Sequence, residues 1–233
     1  MDSRNFVLKA LSAADQAALT ADFHEVSLTS GDVLFEPDYP VEWVYFPTTA
    51  VVSVITVMAD GRSVESDTVG YESVVGVLAA LGSSVAITRT FTQIPGAATR
   101  VSASALRRQA DASPALRRLL VRHSQANLAQ AHQSVACNAL HSVGQRLCRW
   151  LLMSQDRTAS DTVRLTQQYL ATMVGVQRTT ITQALSELTD AGLIRRGRGR
   201  IDIVDRTGIE ARACECYEAV RANLERLIGR APA

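Results

Sequence analysis

At 233 residues, with 47% hydrophobic and 20% charged side chains, the chain is long enough to bury a core and is sized for one or two domains. No apolar run approaches the roughly 18 to 20 residues that cross a bilayer, and residues 1–14, with Asp2, Ser3, Arg4 and Lys9, lack the apolar stretch of a secretory signal, so the expectation is a cytoplasmic protein without a membrane partner. The net charge of +1 hides an asymmetry: residues 1–112 carry −6, residues 113–138 carry +3 and residues 139–233 carry +4.

Residues 26–104 read as short strands. β-Branched and aromatic residues dominate 33–35, 41–46 and 51–58, and turn signals follow at Ser30-Gly31-Asp32, Glu36-Pro37-Asp38, Asp60-Gly61, Gly82-Ser83-Ser84 and Pro95-Gly96. That spacing predicts an antiparallel barrel or sandwich, with Asp60-Gly61 as its clearest hairpin turn. The acidic residues of this half form no paired-carboxylate motif, no Ser or Cys nucleophile motif is present, and the glycines make no phosphate loop; no catalytic residue is assigned and an enzyme is not expected.

Ser113-Pro114 gives an N-cap followed by proline at the first helical position, and neither glycine nor proline recurs until Gly144. A helix to about Cys137 would run about 37 Å, too long for one small domain to bury. Leu116, Leu120, His123, Asn127 and Ala131 fall near one stripe and are the expected dimer interface; Val121, Leu128 and Val135 fall on another. Residues 138–142 break the pattern and predict a hinge bounded by Asn138 and Ser142. Ser142 then caps a helix carrying Leu147, Trp150 and Leu151 on its apolar side.

Residues 165–181 predict helix, tight turn, helix. Thr166 caps the first helix, Ala171 is small where the second crosses, Gly175 takes the left-handed turn, and Leu170, Val174, Val176, Ile181 and Leu185 fill the wedge. The second helix ends at Gly192, and two short strands turn at Gly197-Arg198-Gly199 to make a wing lined by Arg195, Arg196, Arg198 and Arg200. Such guanidinium groups suit phosphate oxygens. Arg178, Thr179, Thr182 and Gln183 lie on the side away from Ile181 and Leu185, where a recognition helix meets base edges. Arg178 is the best base reader, since arginine donates twice to guanine, and Gln183 can do the same to adenine. Thr166, Gln177 and Thr180 complete the expected DNA face. Residues 209–230 have apolar side chains at spacings of three and four, predicting an amphipathic terminal helix; packing is its simplest role, and a surface for RNA polymerase is the other reading.

In this order of parts the sequence resembles the Crp/Fnr family of bacterial transcription regulators, most specifically over residues 165–205. The resemblance implies an α+β protein: an antiparallel, jelly-roll, cyclic-nucleotide-binding-like sensor barrel (1–112), a dimerisation helix and hinge (113–141), and a winged helix-turn-helix DNA-binding domain (142–233). It implies a homodimer on double-stranded DNA with an inverted-repeat operator. Arg178 matches the family's guanine-reading arginine, whereas Thr179 and Gln183 replace a common Glu and a later Arg. The family's nucleotide pocket uses Gly-Glu-Leu followed by Arg-Ser/Thr-Ala. Here threading back from Leu106 puts Ala86 at the phosphate position, with Arg89 three residues late. Glu72, Gly76, Arg89 and His132 are the candidate effector pocket, His132 with Ala131 standing where the family contacts adenine. The expectation is therefore a regulator not responsive to cyclic AMP, its effector unknown. The alternatives are response through a shifted pocket using Arg89, or a nucleotide-binding module acting on a protein partner.

The four cysteines, Cys137, Cys148, Cys214 and Cys216, are too sparse for a disulfide scaffold and are expected reduced. None precedes Cys137, which disfavours the amino-terminal iron–sulfur cluster of the family's oxygen-sensing branch. Read as two apart on one terminal helix, Cys214 and Cys216 face different sides and make a poor metal pair. Cys137, at the hinge, is a packed thiol with some claim to redox activity, and the His123 and His132 pair suits packing better than haem. No metal or other cofactor is expected.

Overall fold

The computed structural model describes residues 4–228. They separate into two compact units: one holds the chain up to Ile55, Asp67–Ala129 and the end of the chain from Asn223, the other Thr56–Ser66 and Gln130–Ala222.

In the first unit two short helices, α1 (Phe6–Lys9) and α2 (Ala13–Leu19), precede the strands. The Asn5 side chain accepts from the N–H groups of Val7 and Leu8, and Ser12 caps α2. Seven strands follow, β1 (His24–Leu28), β2 (Val33–Phe35), β3 (Trp43–Pro47), β4 (Val51–Val57), β5 (Ser63–Val69), β6 (Arg89–Ile94) and β7 (Gly96–Ser102), of which the end of β4 and the start of β5 are counted with the other unit. They form two antiparallel sheets, ordered β1-β7-β3 and β2-β6-β4-β5. Neither sheet closes on itself, so the expected barrel is a pair of open sheets, consistent with a jelly roll. The short helix α3 (Leu78–Leu81) lies between β5 and β6, and α4 (Ala103–Ala112) follows β7. Gly96 starts β7 where the chain passes so close to Thr49 and Ala50 that a Cβ would lie 2.5 Å from the Ala50 nitrogen, a gap no side chain tolerates.

The core of this unit runs from Val7 and Leu8 through Val44, Phe46, Val52 and Val101 to Leu106, and the first turns of α5 (Pro114–Leu140) close it with Leu116, Leu119 and Leu120. The Leu116 N–H donates to Ser113 Oγ at 3.2 Å, the cap that the Ser-Pro pair predicts. The helix continues to Leu140, three residues past the expected stop at Cys137. Asn138 is thus inside a helix, and only His141 and Ser142 separate α5 from α6 (Val143–Thr158). Ser142 and Gln145 form a reciprocal capping box that fixes the start of α6.

The second unit continues with β8 (Thr162–Val163), α7 (Gln167–Val174), α8 (Arg178–Asp190), β9 (Ile194–Gly197), β10 (Arg200–Ile203), α9 (Arg206–Glu210) and the part of α10 (Cys216–Ile228) up to Ala222. The strands form one sheet ordered β8-β10-β9. Its core joins Leu147, Leu151 and Leu152 of α6 to Leu170, Ile181, Leu185, Ile194 and Ile209. The tail expected as one helix from Ile209 is two, broken between Glu210 and Cys216. Asp205 caps α9 through the Gly208 N–H. Arg206 then holds the corner: its guanidinium bonds Asp156 at 2.8 Å, Gln155 at 2.8 Å and the Tyr217 hydroxyl at 2.7 Å. The expected last residues of that helix, 229 and 230, lie outside the described residues.

Candidate nucleic-acid interface and effector cavity

Local sterics build the reading head. Thr166 accepts from the Tyr169 N–H at 3.2 Å and starts α7. Gly175 closes α7 at φ +70°, ψ +41°, a left-handed conformation costly for any residue with a Cβ. Its N–H reaches back to Thr172 O at 3.3 Å, and the Val176 N–H to Ala171 O at 3.0 Å. The chain then enters α8 with Ile181, Ala184, Leu185 and Leu188 buried. The opposite face is left to solvent: Gln177, Arg178, Thr179, Thr182 and Gln183 are exposed, and Thr180 is half-buried.

The wing follows the predicted turn. Arg200 pairs with Gly197 and Asp202 with Arg195 across β9 and β10, and Gly199 sits at φ +67°. All four wing arginines are exposed. They are not equivalent. Arg196 donates to Ser186 Oγ at 3.1 Å, tying the wing to α8, and Arg200 lies 3.5 Å from the Asp202 carboxylate. The side chains of Arg178, Arg195 and Arg198 have no hydrogen bond or ion pair among the described residues. On α8, Thr182 donates to Gln167 Oε1 and to Arg178 O at 3.0 Å each, and Gln183 Nε2 donates to Glu187 Oε1 at 3.2 Å. Gln183 is therefore committed to a carboxylate one turn on, whereas the Arg178 guanidinium is uncommitted.

The dimer stripe needs correction. Leu116, Leu120 and His123 are buried inside their own unit, and Asn127 accepts from Ser73 Oγ at 3.2 Å, so these residues face the chain itself. Ala131 is only half-buried. The large apolar side chains left open on α5 are Val121, Leu128, Val135 and, at its end, Leu140; the first three are 43%, 56% and 70% exposed at intervals of seven. At the predicted hinge, Arg146 of α6 donates to Asn138 Oδ1 at 3.0 Å and to Val174 O at 2.9 Å, so Asn138 anchors the start of α6.

The first unit holds a cavity of about 490 Å³ beneath α3, lined among others by Phe35, Val54, Val69, Val75 and Ala86. Of the candidate effector residues only Gly76 lines it. Its φ is +86°, and a Cβ at this position would lie 2.8 Å from the Phe35 ring and collide. Glu72 accepts from the Gly70 N–H instead, Arg89 pairs with Glu36 at 3.3 Å, and His132 is exposed on α5. The only charged side chain in the lining is that of Asp67. Asn127 also lines it, which puts one side chain of α5 on the cavity wall.

Four side chains that sequence reasoning kept apart meet in the second unit. Cys137 and His141, one turn apart at the end of α5, meet Cys214 and Cys216, with donor atoms all within 4.8 Å of one another. Cys214 precedes α10 rather than lying on it, so the two cysteines are not held to different sides of one helix, as the sequence reading expected. The bond from Cys214 pulls the Cys137 thiol far down, burial opposing and His141 and Arg149 assisting. The same contact pushes Cys214 up. Cys148, buried away from the group, is pushed up to about 11.

Helix, left-handed turn, helix and basic wing define a winged helix-turn-helix, the architecture of a DNA-binding regulator. Residues 145–212 match the Crp-like helix-turn-helix domain family. Solved structures with the same fold include FixK2 from Bradyrhizobium japonicum (TM-score 0.71, 20% identity, 82% of this chain and 98% of that one). TTHA1359, a CRP/FNR-family transcriptional regulator from Thermus thermophilus, is similar too (0.67, 23%, 82% and 98%). So is the c-di-GMP-responsive regulator CLP from Xanthomonas campestris (0.65, 21%, 82% and 99%). No curated protein matches the sequence. Residues 145–212 thus carry a Crp-like helix-turn-helix domain, and the chain shares its fold with solved regulators of the Crp/Fnr family. Among the described residues no helix is long and apolar enough to cross a membrane.

Proposed function

We propose that this Crp/Fnr-type regulator works in the cytoplasm as a homodimer that reads an inverted repeat, and that cyclic AMP does not control it. The observation that carries the DNA-reading part is the uncommitted Arg178 guanidinium on the open face of α8, with the wing arginines Arg195 and Arg198 likewise exposed and uncommitted. In a dimer joined along Val121, Leu128 and Val135, two such helices would enter successive major grooves about 34 Å apart. Binding, not catalysis, is the activity.

The cavity supports the second half of the reading. A cyclic nucleotide brings a phosphate, and a phosphate in a wall of valine, alanine and phenylalanine with Asp67 nearby has no cation to meet it, a cost of several kcal/mol. The shifted-pocket alternative needs Arg89, whose guanidinium is outside the cavity and held by Glu36. An uncharged, largely apolar effector fits the lining better, and through Asn127 it would touch α5 directly. The exposed face of α10 remains the surface on which RNA polymerase would be met.

The test is selection from a randomised inverted-repeat library followed by fluorescence anisotropy, with and without cyclic AMP and cyclic di-GMP, at two salt concentrations. Selective binding that neither nucleotide alters is the expected result. Binding that appears only with a nucleotide would overturn the reading of the cavity, and absence of sequence selectivity would overturn the reading of Arg178.

A further inference from the structure

We propose that Cys137, His141, Cys214 and Cys216 form a four-coordinate zinc site. The geometry matches the ion. With Zn–S near 2.3 Å and Zn–N near 2.0 Å, a tetrahedron has edges of about 3.5 to 3.8 Å. The Cys137 and Cys214 sulfurs are 3.5 Å apart, and Cys216 Sγ lies 3.5 Å from His141 Nδ1. The three cysteines are buried, while His141 sits at the rim with its side chain 15% exposed, which leaves an entry path for the metal. Three thiolates and an imidazole favour a soft or borderline ion over magnesium or calcium. Four protein ligands leave no open position, so the site is structural.

The surroundings of the four residues complete the match. A zinc-bound imidazole is ordinarily oriented by an acceptor on its other nitrogen. His141 Nε2 has one, the Glu215 carboxylate at 3.1 Å, which leaves Nδ1 turned toward the sulfurs. Gln133 Nε2 donates to Cys216 Sγ at 3.0 Å, and the Arg149 guanidinium is a positive charge that helps hold the Cys137 thiol down. Three thiolates on one Zn²⁺ leave a net −1, which the Arg149 guanidinium offsets. Loading displaces the protons still held by the ligand thiols to solvent, so affinity rises with pH.

The ligands come in two pairs, Cys-x3-His at the end of α5 and Cys-x-Cys at the break before α10. A metal would therefore staple the last turn of α5 to the corner that ends the winged domain. No ligand belongs to the DNA-reading surface, so the inference stands apart from the proposed function.

The full chain, purified with reductant and without chelator, is dialysed against Zn²⁺ or Co²⁺. Elemental analysis and visible spectroscopy follow. One equivalent of zinc per chain and the strong visible bands of tetrahedral, thiolate-bound Co²⁺ are expected. Cys148→Ser should retain both. Cys214→Ser and His141→Gln should lose them, and Glu215→Gln should weaken metal affinity about 10- to 100-fold. Because a cysteine variant can fail to fold, the wild-type stoichiometry and spectrum decide by themselves. A wild-type chain that retains no metal and gives no tetrahedral spectrum overturns the proposal. So does a Cys137–Cys214 disulfide in its place, or iron bound with inorganic sulfide.

Discussion

The N–H of Val74 donates to His123 Nε2 at 3.1 Å, so the long helix is tied to the segment after β5 through a fully buried imidazole. With Nε2 accepting, the ring is neutral and its proton is on Nδ1. Burial holds the pKa at about 4, well under the ordinary 6.5. A depressed folded-state pKa means that the unfolded chain takes up the proton first. The stabilisation is complete above about pH 6.5 and is lost as pH falls from there toward 4. Urea midpoints of the wild type should drop across that window at up to about 1.4 kcal/mol per pH unit, and those of His123→Gln should drop less. Equal slopes for the two proteins would show that His123 is not the group responsible.

Arg178→Ala should weaken binding to the selected operator by about 1 to 3 kcal/mol and relax preference at one base position in each half-site. Anisotropy against single-base operator variants checks this. Equal weakening on every sequence would reassign Arg178 to a phosphate.

The wing arginines should behave otherwise. Arg198→Gln is expected to weaken specific and non-specific DNA alike and to lower the slope of log K against log salt by about 1. Arg200→Gln should do less, because Arg200 is already shared with Asp202. A change in base preference from either substitution would mean that the wing reads sequence.

Leu128 sits at the middle of the open stripe on α5 and is 56% exposed, whereas Leu120 is buried in its own unit. Leu128→Glu should shift sedimentation from dimer to monomer with little change in the unfolding transition of the chain. Leu120→Ala should instead destabilise the fold by about 2 to 5 kcal/mol. A Leu128→Glu protein that remains dimeric would place the interface elsewhere.

What could be read from sequence was what local sterics dictate. Thr166, Gly175 and Ile181 announce a helix-turn-helix because each position tolerates few side chains, and Ser113-Pro114 marks the start of α5 for the same reason. Strand β4 declares itself through Val51, Val52, Val54, Ile55 and Val57. Strand β5, Ser-Val-Glu-Ser-Asp-Thr-Val, is polar enough to pass for a loop and is held by its neighbour in the sheet. The two stripes of α5 share one helical period, so spacing alone could not say which faces the strands. The cysteine and histidine cluster was invisible because its halves are more than seventy residues apart and the break before α10 carries neither glycine nor proline.

The arginine-rich reading surface has a further consequence. Of 24 cationic side chains 23 are arginine, and the exception, Lys9, ends α1 in the first unit. The winged domain therefore has no ε-amine, and lysine acetylation cannot tune its grip on DNA. For the same reason an amine-reactive fluorophore spares the recognition helix and wing, leaving them chemically intact for single-molecule work.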